Sequence, residues 1–154
     1  MKSPSMFKMY DIRTKHQNLS AQDADRLIAA IARYYKETLG VRGVVLARDA
    51  RLYCARILDR AVELLPQFGL EVLFNPVPIS TCQFYFSCMQ NRALGGIMIP
   101  ASHNPSEYIG FKLVGPELYP IAMGCGPEGG LQQVQRFYEE NLPLPQTDAP
   151  AKVR

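Results

Sequence analysis

The sequence predicts an α/β protein, a layered helix/sheet/helix domain around a mixed, mostly parallel four-stranded sheet. Three observations predict it. Short apolar runs alternate with stretches of helical periodicity, the pattern of β-α units. Polar segments rich in turn formers follow these runs. The 154 residues, 47% of them hydrophobic, suffice for one sizeable core.

The elements follow in order. Residues 7–13 form a short mixed segment, expected to be extended. Ser20 is suited to cap a helix, with Asp23 three residues on. Ala24, Leu27, Ile28, Ile31, Tyr35 and Leu39 then recur at helical spacing. Gly40 stands where a helix end wants a left-handed residue. Residues 43–47 are a continuous apolar run and read as a buried strand. A second helix is expected over 54–68, with Ile57, Leu58, Ala61, Val62 and Leu65 on one face. Pro66 bends it or ends it early. Gly69 turns the chain into a strand over 70–74, and Pro76 and Pro78 make the next segment a loop.

A third helix is expected over 81–89, a third strand over 95–99 and a fourth over 109–114, with a polar loop at 100–108. The glycine-rich stretch 124–130 lacks the Lys-Ser/Thr of a P-loop and reads as a flexible linker. A last helix covers 131–140. Tyr34, Tyr35, Phe84, Tyr85 and Phe86 are expected in or near the core. Pro143, Pro145 and Pro150 punctuate a mostly polar tail. The expected organisation is therefore a domain over 1–141 and an unpacked linker over 142–154, leading toward a second domain outside this chain.

Composition narrows the function classes. Seventeen basic and 14 acidic residues give a net charge of +3, without a Lys/Arg run, so no nucleic-acid partner is expected. No apolar run approaches the length of a membrane span, and residues 1–10 lack the apolar stretch of a signal peptide. No membrane partner and a cytoplasmic location are the expectation. Four cysteines without a CxxC pair, and only His16 and His103 as other soft ligands, argue against zinc. They read as free, mostly buried thiols of a reducing compartment.

In a parallel sheet, ligands sit beyond the carboxyl ends of the strands. Three polar segments fall there, at 48–51, 75–80 and 100–108, and they can share one rim. Ala101-Ser102-His103-Asn104-Pro105 holds a hydroxyl next to an imidazole. Neighbours in an extended loop point apart, so a Ser–His dyad does not follow, and there is no GxSxG elbow. The same residues equally suit a plain turn. Arg13, Arg48, Arg51 and Lys112 stand at or beside strand ends, where cations can hold phosphate oxygens. Arg48-Asp49-Ala50-Arg51 reads equally well as a self-satisfied ion pair. His16 lies in a polar segment and reads as solvated.

Taken together, these segments resemble the first domain of the α-D-phosphohexomutase superfamily, the phosphomannomutase/phosphoglucomutase enzymes. Phe7-Lys8-Met9-Tyr10-Asp11-Ile12-Arg13 is similar to the F-K-x-Y-D-I-R-G start. Arg48-Asp49-Ala50-Arg51 is similar to G-R-D-x-R, and Pro76-Val77-Pro78 lies where the family has a proline loop. Residues 101–105 with Gly110-Phe111-Lys112 resemble T-A-S-H-N-P…N-G-F-K. The resemblance covers about residues 7–140. Departures are Thr14 and Ala47 for Gly, Pro100 for Thr, Ile109 for Asn, and Tyr53-Cys54 near a common serine.

The resemblance implies a phosphoserine mutase. Ser102 would pass a phosphoryl group to a hexose phosphate, giving a hexose bisphosphate, and recover the other phosphoryl group. His103, Lys112 and Arg13 would handle proton and charge. Lys8, Arg48, Arg51 and Asn104 would bind phosphate or support the loops. An oxygen of phospho-Ser102 would help hold Mg²⁺, with further ligands from a second domain, so this domain is not expected to turn over alone. Phosphoryl transfer depends mostly on positioning and charge stabilisation, which suits a site rich in cations. The other readings are a phosphoglucosamine mutase domain and a degenerate module that binds a phosphosugar or a partner protein.

Overall fold

The computed structural model describes residues 6–100 and 107–154. The chain forms β1 (Ile12–Lys15), α1 (Ala21–Arg33), β2 (Gly43–Arg48), α2 (Leu52–Leu64), β3 (Glu71–Phe74) and α3 (Thr81–Gln90). β4 (Gly95–Ile99), β5 (Tyr108–Val114), β6 (Pro120–Ile121) and α4 (Leu131–Glu140) follow. The sheet runs β1-β5-β4-β2-β3, with β6 added on β5. β4, β2 and β3 are mutually parallel, and β5 runs antiparallel to β4. These are the four expected strands, mixed and mostly parallel.

The two extra strands, β1 and β6, are antiparallel to β5 and widen the sheet to six. The segment expected to be extended, 7–13, overlaps β1 only at Ile12 and Arg13 and otherwise turns, and β6 has no readable sequence signal. β1 buries only Ile12 of its four residues, and β6 is two residues long. A strand this short shows no period.

β2 is central, so both its faces are covered and its sequence is apolar throughout. Val44 and Leu46 join the larger core with Leu27 and Ile31 of α1, Leu58 and Ala61 of α2, and Leu131 and Val134 of α4. Val45 and Ala47 join a smaller core on the other face, with Phe84 and Cys88 of α3 and Met98 of β4. α3 presents Phe84 and Cys88, one turn apart, to the sheet. Phe86 lies roughly half a turn round from Phe84 and is 61% exposed, contrary to the core position expected for it.

Ser20 accepts the Asp23 backbone N–H and starts α1 as expected, and Gly40 ends the helical stretch at φ 67. Before Gly40, residues Tyr34–Leu39 wind as a π-helix. Both Tyr34 and Tyr35 are fully buried. The Tyr34 hydroxyl donates to Pro127 O at 2.8 Å. The Tyr35 hydroxyl lies 2.6 Å from Gly96 O and 2.8 Å from Val114 O, bridging β4 and β5. Burial pushes both phenols up, that of Tyr34 to about 12, so they stay neutral donors. The Tyr35 ring occupies the space a Cβ at Gly95 would need.

α2 begins at Leu52, two residues earlier than expected, and ends at Leu64. Pro66 falls in a 3-10 turn, Leu65–Phe68, where its missing N–H does no harm. The expected flexible linker at 124–130 is instead a compact hydrogen-bonded turn. Ala122 and Cys125 exchange backbone bonds, and Gly124 N–H donates to Gly129 O at 3.0 Å. Gly126 (φ 113) and Gly130 (φ 64) supply positive φ there, so these glycines serve a fixed shape. The tail is also tied down, contrary to the unpacked segment expected. Val72 donates to Lys152 O (2.8 Å), Arg154 to Val72 O (2.7 Å) and Phe74 to Arg154 O (3.0 Å), covering the β3 edge.

Tyr35→Phe removes the β4–β5 bridge and is expected to cost about 1–2 kcal/mol. Gly95→Ala drives a methyl into the Tyr35 ring and is expected to cost about 1–3 kcal/mol. Urea denaturation of both variants checks these values.

Candidate active site

The carboxyl ends of β2, β3 and β4 lie side by side, so the loops that follow them meet. Ile79 N–H donates to Arg48 O at 3.1 Å and joins the 75–80 loop to the end of β2. Asp49 N–H donates to Ile99 O at 3.2 Å and joins the same corner to the end of β4. A capping box holds the far end of the 75–80 loop. Ser80 Oγ accepts the Gln83 N–H, and Gln83 Oε1 accepts the Ser80 N–H. The described parts of the three segments therefore share one rim.

At its centre Asp49 organises the start of α2. Its Oδ1 accepts the Arg51 N–H at 3.0 Å, and its Oδ2 lies 3.7 Å from Arg51 Nε. Arg48 Nη1 donates to the Asp49 carbonyl at 2.9 Å. Both Arg51 and Asp49 are half-buried, which holds the guanidinium at the mouth of the loop. Cys54 lies beneath, fully buried. Burial first, and then the neighbouring Asp49, push its thiol well up, so it stays protonated.

Register places the cations of β1 and β5. Lys112 pairs with Met98, and Arg13 with Gly110. Directly paired residues share a face, as do residues two apart in one strand. Arg13, Gly110, Lys112 and Met98 therefore lie on one face, the face that carries α3. Arg13 and Lys112 are both partly buried, and Arg13 Nε pairs with Asp11 Oδ1 at 2.8 Å. A Cβ at Gly110 would collide with Ile12 O, press on Arg13 Cγ at 3.2 Å and reach Pro100 O at 3.4 Å. Pro100, where the chain leaves β4, thus lies next to Arg13.

The family model described as "Phosphoglucomutase/phosphomannomutase, alpha/beta/alpha domain I" matches residues 4–123. The chain belongs to that family. It is 35% identical over 141 residues to a phosphomannomutase of Escherichia coli K12, covering 92% of this chain and 29% of the relative. It is 31% identical over 109 residues to a phosphoglucomutase of Neisseria gonorrhoeae, covering 71% and 24%. A phosphoglucomutase/phosphomannomutase family protein of Burkholderia thailandensis superposes with a TM-score of 0.74. It is 26% identical, over all of this chain and 33% of its own. This chain thus spans under a third of the length of these relatives.

For a domain I of this family, the expected site residues fall into three groups. Ser102, His103 and Asn104 lie outside the described residues. Arg13, Lys112, Arg48 and Arg51 stand beside the residues that flank them. Lys8 is exposed, in a turn at the Ile12 end of β1, away from the Lys15 end at the rim. One neighbour was not legible in the sequence. His16, read as solvated, is half-buried and stacks on Tyr53 of α2. The two lie far apart in sequence, and no local pattern joins them.

Among the described residues no group of three or more His, Cys, Asp and Glu could hold a metal ion. These residues by themselves therefore do not make up a Mg²⁺ ligand set. No helix among them is long and apolar enough to cross a membrane. A larger cavity, about 450 Å³, lies away from the rim between α1 and residues 141–144. Its cations are engaged. Arg26 Nε donates to Tyr138 O at 2.6 Å, and Arg33 pairs with Glu37 and Glu140.

Gly110→Ala is expected to loosen the β1–β5 pairing and cost about 1–3 kcal/mol. Faster amide exchange confined to β1 and β5 would register it. The four cysteines are free, with Cys54 and Cys88 buried and Cys82 and Cys125 exposed. Buried, protonated thiols are inert. Alkylation at pH 8 is expected to label two thiols quickly and the other two only on unfolding, as read by intact mass.

Proposed function

We propose that this chain is the phosphoserine-carrying domain of a phosphomannomutase/phosphoglucomutase that moves a phosphoryl group between the C1 and C6 hydroxyls of a hexose phosphate. The observation that carries the reading is that Arg13 and Lys112 lie on one face near Pro100 while the Arg48–Arg51 corner joins the adjoining end of β4, in a chain of this family.

In this reading the resting enzyme holds a phosphoryl group on Ser102 Oγ. A hydroxyl of the bound hexose phosphate attacks phosphorus, the Oγ–P bond breaks, and the hydroxyl proton passes by way of His103 to the leaving Ser102 Oγ. The bisphosphorylated sugar then returns its other phosphoryl group to Ser102. Arg13 and Lys112 balance the charge on the transferring group, a task in which fixed cations are worth several kcal/mol. Arg48 and Arg51 support the corner on which the loop rests and Asn104 braces the loop, while Lys8, in the turn at the far end of β1, takes no part at this rim.

Mg²⁺ enters the proposal only through an oxygen of phospho-Ser102, with its carboxylate ligands from beyond this chain. When bound, it offsets charge on the phosphoryl oxygens. Residues 142–154 act as the connection to the remaining domains, which complete the sugar site. The enzyme works in the cytoplasm, in keeping with four free thiols.

The complete enzyme is expected to carry one phosphate by intact mass, absent from Ser102→Ala. Arg13→Ala and Lys112→Ala are each expected to lower kcat by about 10²-fold or more while leaving the fold intact. A phosphate that survives Ser102→Ala overturns the reading. Assays on mannose, glucose and glucosamine phosphates assign the sugar.

A further inference from the structure

The residues on either side of segment 101–106 are fastened to the same corner of the fold. Upstream, Asp49 N–H donates to Ile99 O at 3.2 Å. Downstream, Glu107 O accepts the His16 N–H at 2.8 Å, and the Glu107 carboxylate lies 3.4 Å from Lys15 Nζ. His16 is then held laterally. Its imidazole lies on the Tyr53 ring with centroids 3.6 Å apart and planes 12° from parallel. Tyr53 is in the first turn of α2, four residues after Asp49. One corner, 49–53, thus holds both flanks.

The downstream flank needs such a hold. Among the described residues β1 is an edge strand whose one strand partner is β5; a single bridge to Phe7 holds its Ile12 end, and the pairing runs no further than Lys15 with Tyr108 at the other. A short edge pair frays unless something packs against it. His16 and Tyr53, with Leu19, Arg56, Ile57 and Ile109, enclose a small cavity of about 120 Å³ just there. Two departures from the family pattern, Tyr53 and Ile109, meet in this cavity with His16. An aromatic and apolar packing site therefore stands at Ile109, where the pattern has an asparagine, and at Tyr53, near a common serine.

We propose that His16 and Tyr53 are positioning residues. Their stack fixes the downstream anchor of the Ser102 segment against the Arg48–Arg51 corner. The proposal rests on the reading of Ser102 as the phosphoryl carrier. A group offset by about 1 Å from its productive position can cost about 10²-fold in rate, so a lateral brace on one anchor acts on turnover.

The test uses the complete enzyme with His16→Ala, Tyr53→Ala, Tyr53→Leu and Tyr53→Phe. Tyr53→Leu fills space without a stack, and Tyr53→Phe keeps the stack. The first three are expected to lower kcat by about 10- to 100-fold with KM within about twofold. They also speed amide exchange in the peptide 107–114, while Tyr53→Phe behaves as wild type in both. Wild-type kcat and exchange in Tyr53→Leu, or a Tyr53→Phe as impaired as Tyr53→Leu, overturns the proposal. Should Tyr53→Ala fail to fold, the Leu and Phe pair still decides. If phosphate survives Ser102→Ala, the carrier reading falls, while the exchange comparison still reports whether the stack holds the anchor.

Discussion

The antiparallel pairing of β5 on β4 governs where Lys112 and Arg13, two strand-borne cations of the second face, come to lie. Met98 opposes Lys112, and this register fixes Gly110 beside Pro100 and, through β1, Arg13 beside Gly110. A slip of one residue would turn Lys112 into the larger core and carry Phe111 or Leu113 to the open face. Such a slip is heavily penalised, since Ile109, Phe111 and Leu113 are each 2% exposed. The Tyr35 hydroxyl adds a second lock by bridging Gly96 and Val114 at the opposite end of the pair. Register is thus set by apolar burial on one face and read out as charge placement on the other.

The layering explains why that other face is available. α1, α2 and α4 cover one side of the sheet, while α3 alone covers part of the second, over β2 and β4. The β5 and β1 portion of the second face has no helix in the described structure, and the charged residues on its strands are Arg13, Lys15 and Lys112. Their local partners are modest in energy. A half-exposed pair such as Arg13 with Asp11 contributes little to stability, although it orients the guanidinium. The Asp49–Arg51 contact is more than an ion pair, because Asp49 also accepts the Arg51 N–H at the start of α2. The two readings of Arg48-Asp49-Ala50-Arg51, self-satisfied pair and site corner, therefore describe one geometry.

Legibility followed the range of the interactions. α1 was readable because its cap, its apolar stripe and Gly40 are all local. β2 and β4 were readable because a buried parallel strand must be apolar throughout. β1 and β6 were not, since each gains its pairing from β5 and has too few buried residues to show a period. The glycines of 124–130 were misread because a composition that permits flexibility also permits a tight turn at positive φ. Phe86 was misplaced by its type alone, in a ten-residue helix that packs on one side. At the site, Arg13, Arg48, Arg51 and Lys112 were legible from their places near strand ends. The face shared by Arg13 and Lys112 was not, because it depends on a register between strands far apart in sequence.

The same distinction bears on the family departures. Along the chain, Ile109 stands for an asparagine of the pattern and Tyr53 lies near a common serine. In space they meet, together with His16, around one cavity at the end of the edge strand. A buried asparagine braces a loop by hydrogen bonds and is costly when any is missing. A stacked imidazole and phenol beside an isoleucine brace the same place through contact area, with little directional demand. Two positions far apart along the chain thus share one packed place in the folded domain. Because β1 has no second strand neighbour among the described residues, this packing can alter the hold on Glu107 without disturbing the parallel core.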